Sequence, residues 1–286
     1  MKHQRGKMWL VDTKKKEKYE HFCAHLLRKE KLLVALSGGV DSSLVASIAS
    51  GVLDKKNILA VTIDSELFPQ WEQEMAQRVA KKLGIRHIIK KVSLLTETLS
   101  RNTPQRCYQC KKMMADVLWD IAHQEQLDTI ADGITQDDLA DESYIGVKAW
   151  TESGIWHPLA QYGFTHTDII SLARKKGLEN WDTPPESCLA TRLAPHETIT
   201  PEKLGMIQEA ENFLHPHVSQ VRVRLHQGLA RIEVAPQDMH KIVDIKETII
   251  QKLTDMGFAH VTMDLEGYKT RNMRTASSLK RYSQKK

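Results

Sequence analysis

Three groups of residues have types and spacings suited to chemistry. The first is LVALSGGVDSS, residues 33–43, in which an apolar run ends in Ser37, Gly38 and Gly39, followed by Asp41, Ser42 and Ser43. Glycines let backbone N–H groups approach an anion and take positive φ without strain. A helix starting here adds unpaired N–H groups and the positive end of its dipole. This describes a phosphate cradle at the carboxyl end of a strand, where open α/β sheets bind ligands. The hydroxyls of Ser37, Ser42 and Ser43 can add hydrogen bonds, and Asp41 can either shape the loop or reach a magnesium ion that bridges phosphates. The loop has neither the lysine of the Walker A pattern nor the G-x-G-x-x-G of dinucleotide sites.

The second group is cysteine. Cys107 and Cys110 form a C-x-x-C in QRCYQCKK, a spacing that turns two thiols toward one ion. Cys188, in PPESCLATR, is the third candidate. Three cysteinates suit a four-iron–four-sulfur cluster with one iron open, and three cysteines with His196 or His87 suit zinc. Cys188 also stands near Arg192, which could hold it as a nucleophilic thiolate. Cys23, spaced with Phe22 and Leu26, reads as a small buried residue. The third group is Arg222 and Arg224, two apart in VRVRLH and so on one face of a strand. They suit a phosphate or carboxylate clamp oriented by Glu233. The alternative is a solvated face with a surface ion pair.

The elements that must position these residues alternate. A helix over 14–31 precedes a strand at 32–36, then a helix over 42–53, a strand at 58–64, a helix from Pro69 to Gly84 and a strand at 87–93. A helix over 110–126 and a strand at 128–133 follow. This rhythm predicts an α/β parallel sheet covered on both faces. After Trp156 it changes. One helix and a proline-rich loop lead to a helix over 202–214, strands at 219–226 and 229–235, a helix over 237–257 and a last strand at 260–268. The expected division is a domain over 1–195, a small α+β domain over 196–275 and a basic tail over 276–286.

SGGVDSS between a first strand and a helix resembles the motif of the PP-loop ATP pyrophosphatases, which split ATP between its α and β phosphates. That resemblance implies that TIDS (62–65, with Asp64) and ADGITQDD (131–138, with Asp132 and Gly133) flank the nucleotide. Taken with RCYQCKK, GLENWDTPPESCLATRL, VRVRLHQGLARIEV and DLEGYKT, it extends to the LarE family over residues 17–275. LarE proteins are ATP-dependent sulfur transferases of nickel-pincer nucleotide biosynthesis. The resemblance implies adenylation of a pyridinium-3,5-biscarboxylate mononucleotide, attack by a cysteine and formation of a thiocarboxylate. It places Cys188 at the sulfur-donor position. In single-cysteine members that residue becomes dehydroalanine; in three-cysteine members, matched here by Cys107, Cys110 and Cys188, a 4Fe-4S cluster can deliver sulfide. It also implies a homo-oligomer, and it places Glu211 near the active site as a magnesium-binding candidate beside ATP. Arg271 and Asn272 stand where the family more often has a Gly-Ser pair.

Composition is consistent with such an enzyme. The chain has 286 residues, 41% hydrophobic and 27% charged, with a net charge of +5 that favours anionic partners without choosing among them. The N-terminal stretch has no signal-like apolar run and no segment is long enough to span a membrane, so the cytoplasm is the expected compartment. A tRNA-thiolating PP-loop enzyme is the competing reading, but no RNA-binding module is visible and stable nucleic-acid binding is not expected. An amide-forming ligase would leave Cys188 without a task, and a non-catalytic nucleotide or cluster module would release no pyrophosphate.

Overall fold

The computed structural model describes residues 13–141 and 144–269; the basic tail and the Arg271–Asn272 departure lie outside them. The chain runs through α1 (Thr13–Lys29), β1 (Leu32–Ala35), α2 (Val40–Val52), β2 (Ile58–Asp64), α3 (Gln70–Leu83), β3 (Arg86–Lys91), α4 (Glu97–Ser100), α5 (Arg106–Gln124) and β4 (Ile130–Ala131). It continues through α6 (Gln136–Ala140), α7 (Ile145–Glu152), α8 (Pro158–Gln161), α9 (His166–Lys175) and α10 (Pro201–Leu214). It ends with β5 (Val221–His226), β6 (Leu229–Val234), α11 (Met239–Asp244), α12 (Lys246–Asp255) and β7 (His260–Met263).

These elements form two compact units. The first contains residues up to Ser65, Gln70–Leu94 and Gln105–Glu186; the second contains Glu66–Pro69, Leu95–Pro104 and Ser187 onward. The second unit therefore takes in Ser187 and Cys188, ahead of Pro195, together with two excursions from the earlier chain.

The first unit is an α/β domain with the strand order β3-β2-β1-β4, every pair parallel. β1 is central and all four of its residues are buried, as a strand covered on both faces requires. Helix α2 leaves β1 through the glycine loop, and its residues from Ser42 to Ala49 are buried. Leu44, Val45 and Ile48 pack with Leu32 and Val34 of β1, Phe22 and Leu26 of α1, and Ile169 and Leu172 of α9. Each fully buried side chain of this size contributes about 1.5–3 kcal/mol. The core thus holds rigid the helix whose N-terminus faces the loop.

The second unit carries the sheet β5-β6-β7, with β5 and β6 antiparallel and β6 and β7 parallel. Val221, Val223 and Leu225 alternate with Arg222, Arg224 and His226, so one face is apolar and the other charged. The single helix expected over 237–257 is instead two, α11 and α12, broken at Ile245 (φ −115°, ψ 24°). The strand expected over 128–133 is only Ile130–Ala131, and Ala131 also bridges to Trp156. Among the described residues no helix is long and apolar enough to cross a membrane.

Candidate functional site

The glycine loop is braced from within. Ser37 N–H donates to Ser42 Oγ (3.2 Å) and Gly39 N–H to Ser37 Oγ (3.2 Å). Ser42 Oγ and Ser43 Oγ both donate to the Gly39 carbonyl, at 3.2 and 2.8 Å. Gly38 has φ +94°, and a Cβ there would lie 2.2 Å from the Glu72 carbonyl oxygen, so both conformation and space require glycine. Upstream, Thr62 Oγ1 donates to the Leu36 carbonyl (2.6 Å) and is 2.8 Å from His87 Nε2, pinning the end of β1 to β2 and β3. Burial lowers the His87 pKa, and the ring is occupied with this clip. His196 lies in the second unit with φ +67°, its N–H donating to the Asn102 carbonyl.

Asp41 is buried beside the loop. Burial pushes its carboxyl up to about 6, reinforced by the nearby Asp138 and partly offset by His166. Its Oδ1 is buried with no hydrogen-bond partner. An orphaned hard oxygen at a phosphate cradle fits a divalent cation. Asp138 is positioned by a capping box with Thr135 at the start of α6. The end of β4 presses on the same loop, since a Cβ on Gly133 would lie 2.4 Å from the Ser42 nitrogen and 2.8 Å from the Asp41 carbonyl carbon. Asp132, expected beside the nucleotide, is 1% exposed and tied to His157 Nδ1 (2.9 and 3.0 Å) and the Ile134 N–H (3.0 Å). It fixes the strand end on which Gly133 sits. Asp64 closes β2, half-buried, its carbonyl accepting from Val92 N–H (2.8 Å).

Cys107 and Cys110 both lie near the start of α5, which begins at Arg106 rather than at Cys110. At i and i+3 they share a helix face. Cys107 Sγ is 3.6 Å from Arg106 Nη2, and Cys110 Sγ is 4.0 Å from Met114 Sδ. Two thiols are fewer than a tetrahedral site requires. Among the described residues no three His, Cys, Asp or Glu side chains are gathered as a metal site. Cys23 is half-buried on α1, and burial raises its thiol pKa, as suits an inert packing residue.

Cys188 stands at the N-cap of a 3-10 turn, Leu189–Arg192, in the second unit. Arg192, fully buried, shapes this turn. Its Nη1 donates to the Ser187 carbonyl (2.7 Å), Ser187 Oγ (2.9 Å), Thr191 Oγ1 (3.0 Å) and the Cys188 carbonyl (3.2 Å). Its Nε and Nη2 grip the two oxygens of Glu211 at 2.9 and 3.0 Å. Arg192 was expected to hold Cys188 as a thiolate; its guanidinium grips the backbone around that cysteine and pairs with Glu211. Glu211 also accepts from Val223 N–H (2.9 Å), joining α10 to β5, and both its oxygens are committed within this network. Breaking a buried pair leaves an uncompensated charge, so Glu211→Gln is expected to lower the stability of the second unit by about 3–5 kcal/mol, measured by urea unfolding.

The arginines of β5 are buried, not solvated. Arg224 donates through Nε and Nη2 to Glu233 at 2.8 and 2.9 Å and through Nη1 to the Thr191 carbonyl at 2.9 Å. Arg231, opposite Arg224 in register, donates Nη2 to the same Glu233 (2.9 Å). Arg222 is 3% exposed, donates Nη1 to the Val221 carbonyl (2.7 Å) and lies over the Tyr268 ring at 5.2 Å. Glu233 thus holds Arg224 and Arg231 in a buried network, and Asp264 lies 3.6 Å from Arg231 Nε.

Sequence reasoning missed Asn180, which is fully buried and reaches the glycine loop. It also missed the Asp132–His157 pair. No local pattern marks either residue, because their partners are distant in the chain. The Thr135–Asp138 capping box was legible as T-x-x-D.

Comparison with known proteins agrees with this architecture. The family described as NAD synthase matches residues 19–117, from α1 through the glycine loop into α5. A Glutamine-dependent NAD(+) synthetase of Thermotoga maritima is 47% identical over 60 residues, covering 21% of this chain and 10% of its own. An uncharacterized protein of Synechocystis sp. is 36% identical over 84% of this chain and 91% of its own. The Pyridinium-3,5-bisthiocarboxylic acid mononucleotide synthase of Lactiplantibacillus plantarum is 32% identical over 85% of this chain and 89% of its own. A braced glycine loop on a parallel sheet, a second unit that contains Cys188, and likeness to that synthase over most of both chains identify the chain as a PP-loop enzyme of the LarE family.

Proposed function

We propose that this enzyme uses ATP to convert a carboxylate of pyridinium-3,5-biscarboxylate mononucleotide into a thiocarboxylate, with sulfur from Cys188. The observation that carries this reading is the Cys188 turn, where a fully buried arginine paired with Glu211 grips the Ser187 and Cys188 carbonyls and the Ser187 and Thr191 hydroxyls.

A substrate carboxylate oxygen attacks the α-phosphorus of ATP, the bond to the bridging oxygen breaks, and pyrophosphate leaves. The N–H groups of the 37–43 loop and the start of α2 stabilise the departing charge. A magnesium ion held by Asp41, with Asp138 nearby, would neutralise phosphate charge there. Cys188 Sγ then attacks the acyl carbon of the adenylate, expelling AMP and forming a thioester. Removal of the Cys188 Cα proton breaks its Cβ–S bond, which leaves dehydroalanine and the thiocarboxylate. This step is redox-neutral. Arg222 and Arg224, with Glu233, offer charge to the anionic substrate.

A second reading keeps Cys188 intact, with an iron–sulfur cluster on Cys107, Cys110 and Cys188 supplying sulfide. The shared helix face of Cys107 and Cys110 favours it. Anaerobic purification with iron, sulfide and zinc analysis decides between them. The lone-donor reading expects no metal that Cys107→Ala removes. About four irons per chain, lost in that variant, would establish the cluster. A mononucleotide substrate also predicts a KM with shallow salt dependence, whereas RNA binding would fall steeply with salt.

A further inference from the structure

We propose that Asn180 is a positioning residue of the phosphate loop, holding the Gly38–Gly39 peptide so that its N–H faces the bound phosphate. This rests on reading the loop as the ATP cradle. Asn180 Nδ2 donates to the Gly38 carbonyl at 2.7 Å and lies 2.9 Å from Ser43 Oγ. The orientation of the amide is fixed by its partners. The Gly38 carbonyl can only accept, and Ser43 Oγ spends its proton on the Gly39 carbonyl, so it too accepts from Asn180.

In a trans peptide the C=O and the following N–H point in opposite directions. Asn180 is fully buried, so it draws the Gly38 carbonyl inward and turns the Gly39 N–H outward. That N–H makes only a long bond on the exposed side, 3.2 Å to Ser37 Oγ, which an anion can replace. Gly38, at φ +94° and without a Cβ to resist rotation, could otherwise let the peptide flip and present a carbonyl to the phosphate. Asn180 has a cost that packing alone does not explain, since its Oδ1 is buried without a partner. An apolar residue would fill the space without that orphan, so the side chain is there for its two donors.

The test is the affinity of the full chain for inorganic pyrophosphate and for Mg-ATP, in wild type and Asn180→Asp, at pH 8 and pH 5.5. Asn180→Asp keeps the shape but sets a carboxylate against two acceptors. The expected result is binding weaker by about ten-fold or more at pH 8 in a variant that folds but melts lower, because the new carboxylate is buried against two acceptors. The variant-to-wild-type ratio should narrow at pH 5.5 as the carboxyl takes up a proton and regains one donor. A folded Asn180→Asp that binds like wild type, or a loss equal at both pH values, overturns the proposal. Should that variant not fold, Asn180→Ala removes the donors without the repulsion. It is expected to weaken binding several-fold, and unchanged binding would equally overturn the proposal. If wild type binds neither probe, the cradle reading falls along with it; if wild type binds and the variants match it, only the role of Asn180 falls.

Discussion

Cys188→Ala is expected to release pyrophosphate in the presence of ATP and the biscarboxylate mononucleotide, yet to form no thiocarboxylate above background. Adenylation and sulfur transfer are separate steps assigned to separate units: the loop that cradles ATP belongs to the first, and the Cys188 turn to the second. Removing one thiol leaves every hydrogen bond of the phosphate loop in place. It also leaves in place the Arg192 bonds to the Cys188 carbonyl, the Ser187 carbonyl and Glu211, none of which is made to the sulfur atom that is removed. The variant should therefore unfold like wild type and accumulate adenylate, which water hydrolyses slowly. Product formation should fall by about 10³-fold or more, as for loss of a nucleophile. Liquid chromatography of AMP, pyrophosphate and thiocarboxylate in one reaction separates the two steps. Thiocarboxylate at the wild-type rate would remove Cys188 from the chemistry.

Asp41→Asn is expected to separate stability from activity in opposite directions. The Asp41 carboxyl is raised from 3.8 to about 6, chiefly by burial. In the unfolded chain it ionises near 4, so between about pH 4 and 6 the unfolded state sheds its proton first. Folded stability therefore falls as pH rises through that window and stays lower above it. Asparagine removes the penalty. At pH 8 the variant should melt a few degrees higher, about 2–4 °C for each kcal/mol regained in a chain of this size, and the gain should vanish below pH 4. Pyrophosphate release should meanwhile drop by about 10²-fold or more, because the orphaned oxygen suited to a cation is replaced by a neutral amide. Calorimetry and a pyrophosphate assay on one preparation read both effects. A variant less stable than wild type at pH 8 would show that the Asp41 charge is compensated in the fold.

Legibility in the sequence followed the range of the interaction. The strands at 32–36 and 58–64 and the helices between them could be read because each is a long apolar or periodic run whose burial is local. The glycine loop was legible because Gly38 and Gly39 leave a composition that few turns share. Arg222 and Arg224 on one strand face followed from a period of two, yet their burial and the grip of Glu233 on Arg224 and Arg231 are tertiary facts. Arg192 shows the limit most clearly. Adjacency to Cys188 suggested an effect on the thiol; the pairing with Glu211 on a separate helix is a tertiary fact that adjacency does not show. Ile245 splits one periodic helix into two, a break that the apolar pattern alone does not reveal.

The most direct test of sulfur donation is the mass of the tryptic peptide that contains Cys188, taken after one turnover with ATP and the biscarboxylate mononucleotide. The account predicts loss of one H₂S from that peptide, in step with thiocarboxylate formed, and no change with ATP alone. Thiocarboxylate formed while the peptide keeps its full mass would contradict it, and would show that the sulfur comes from elsewhere.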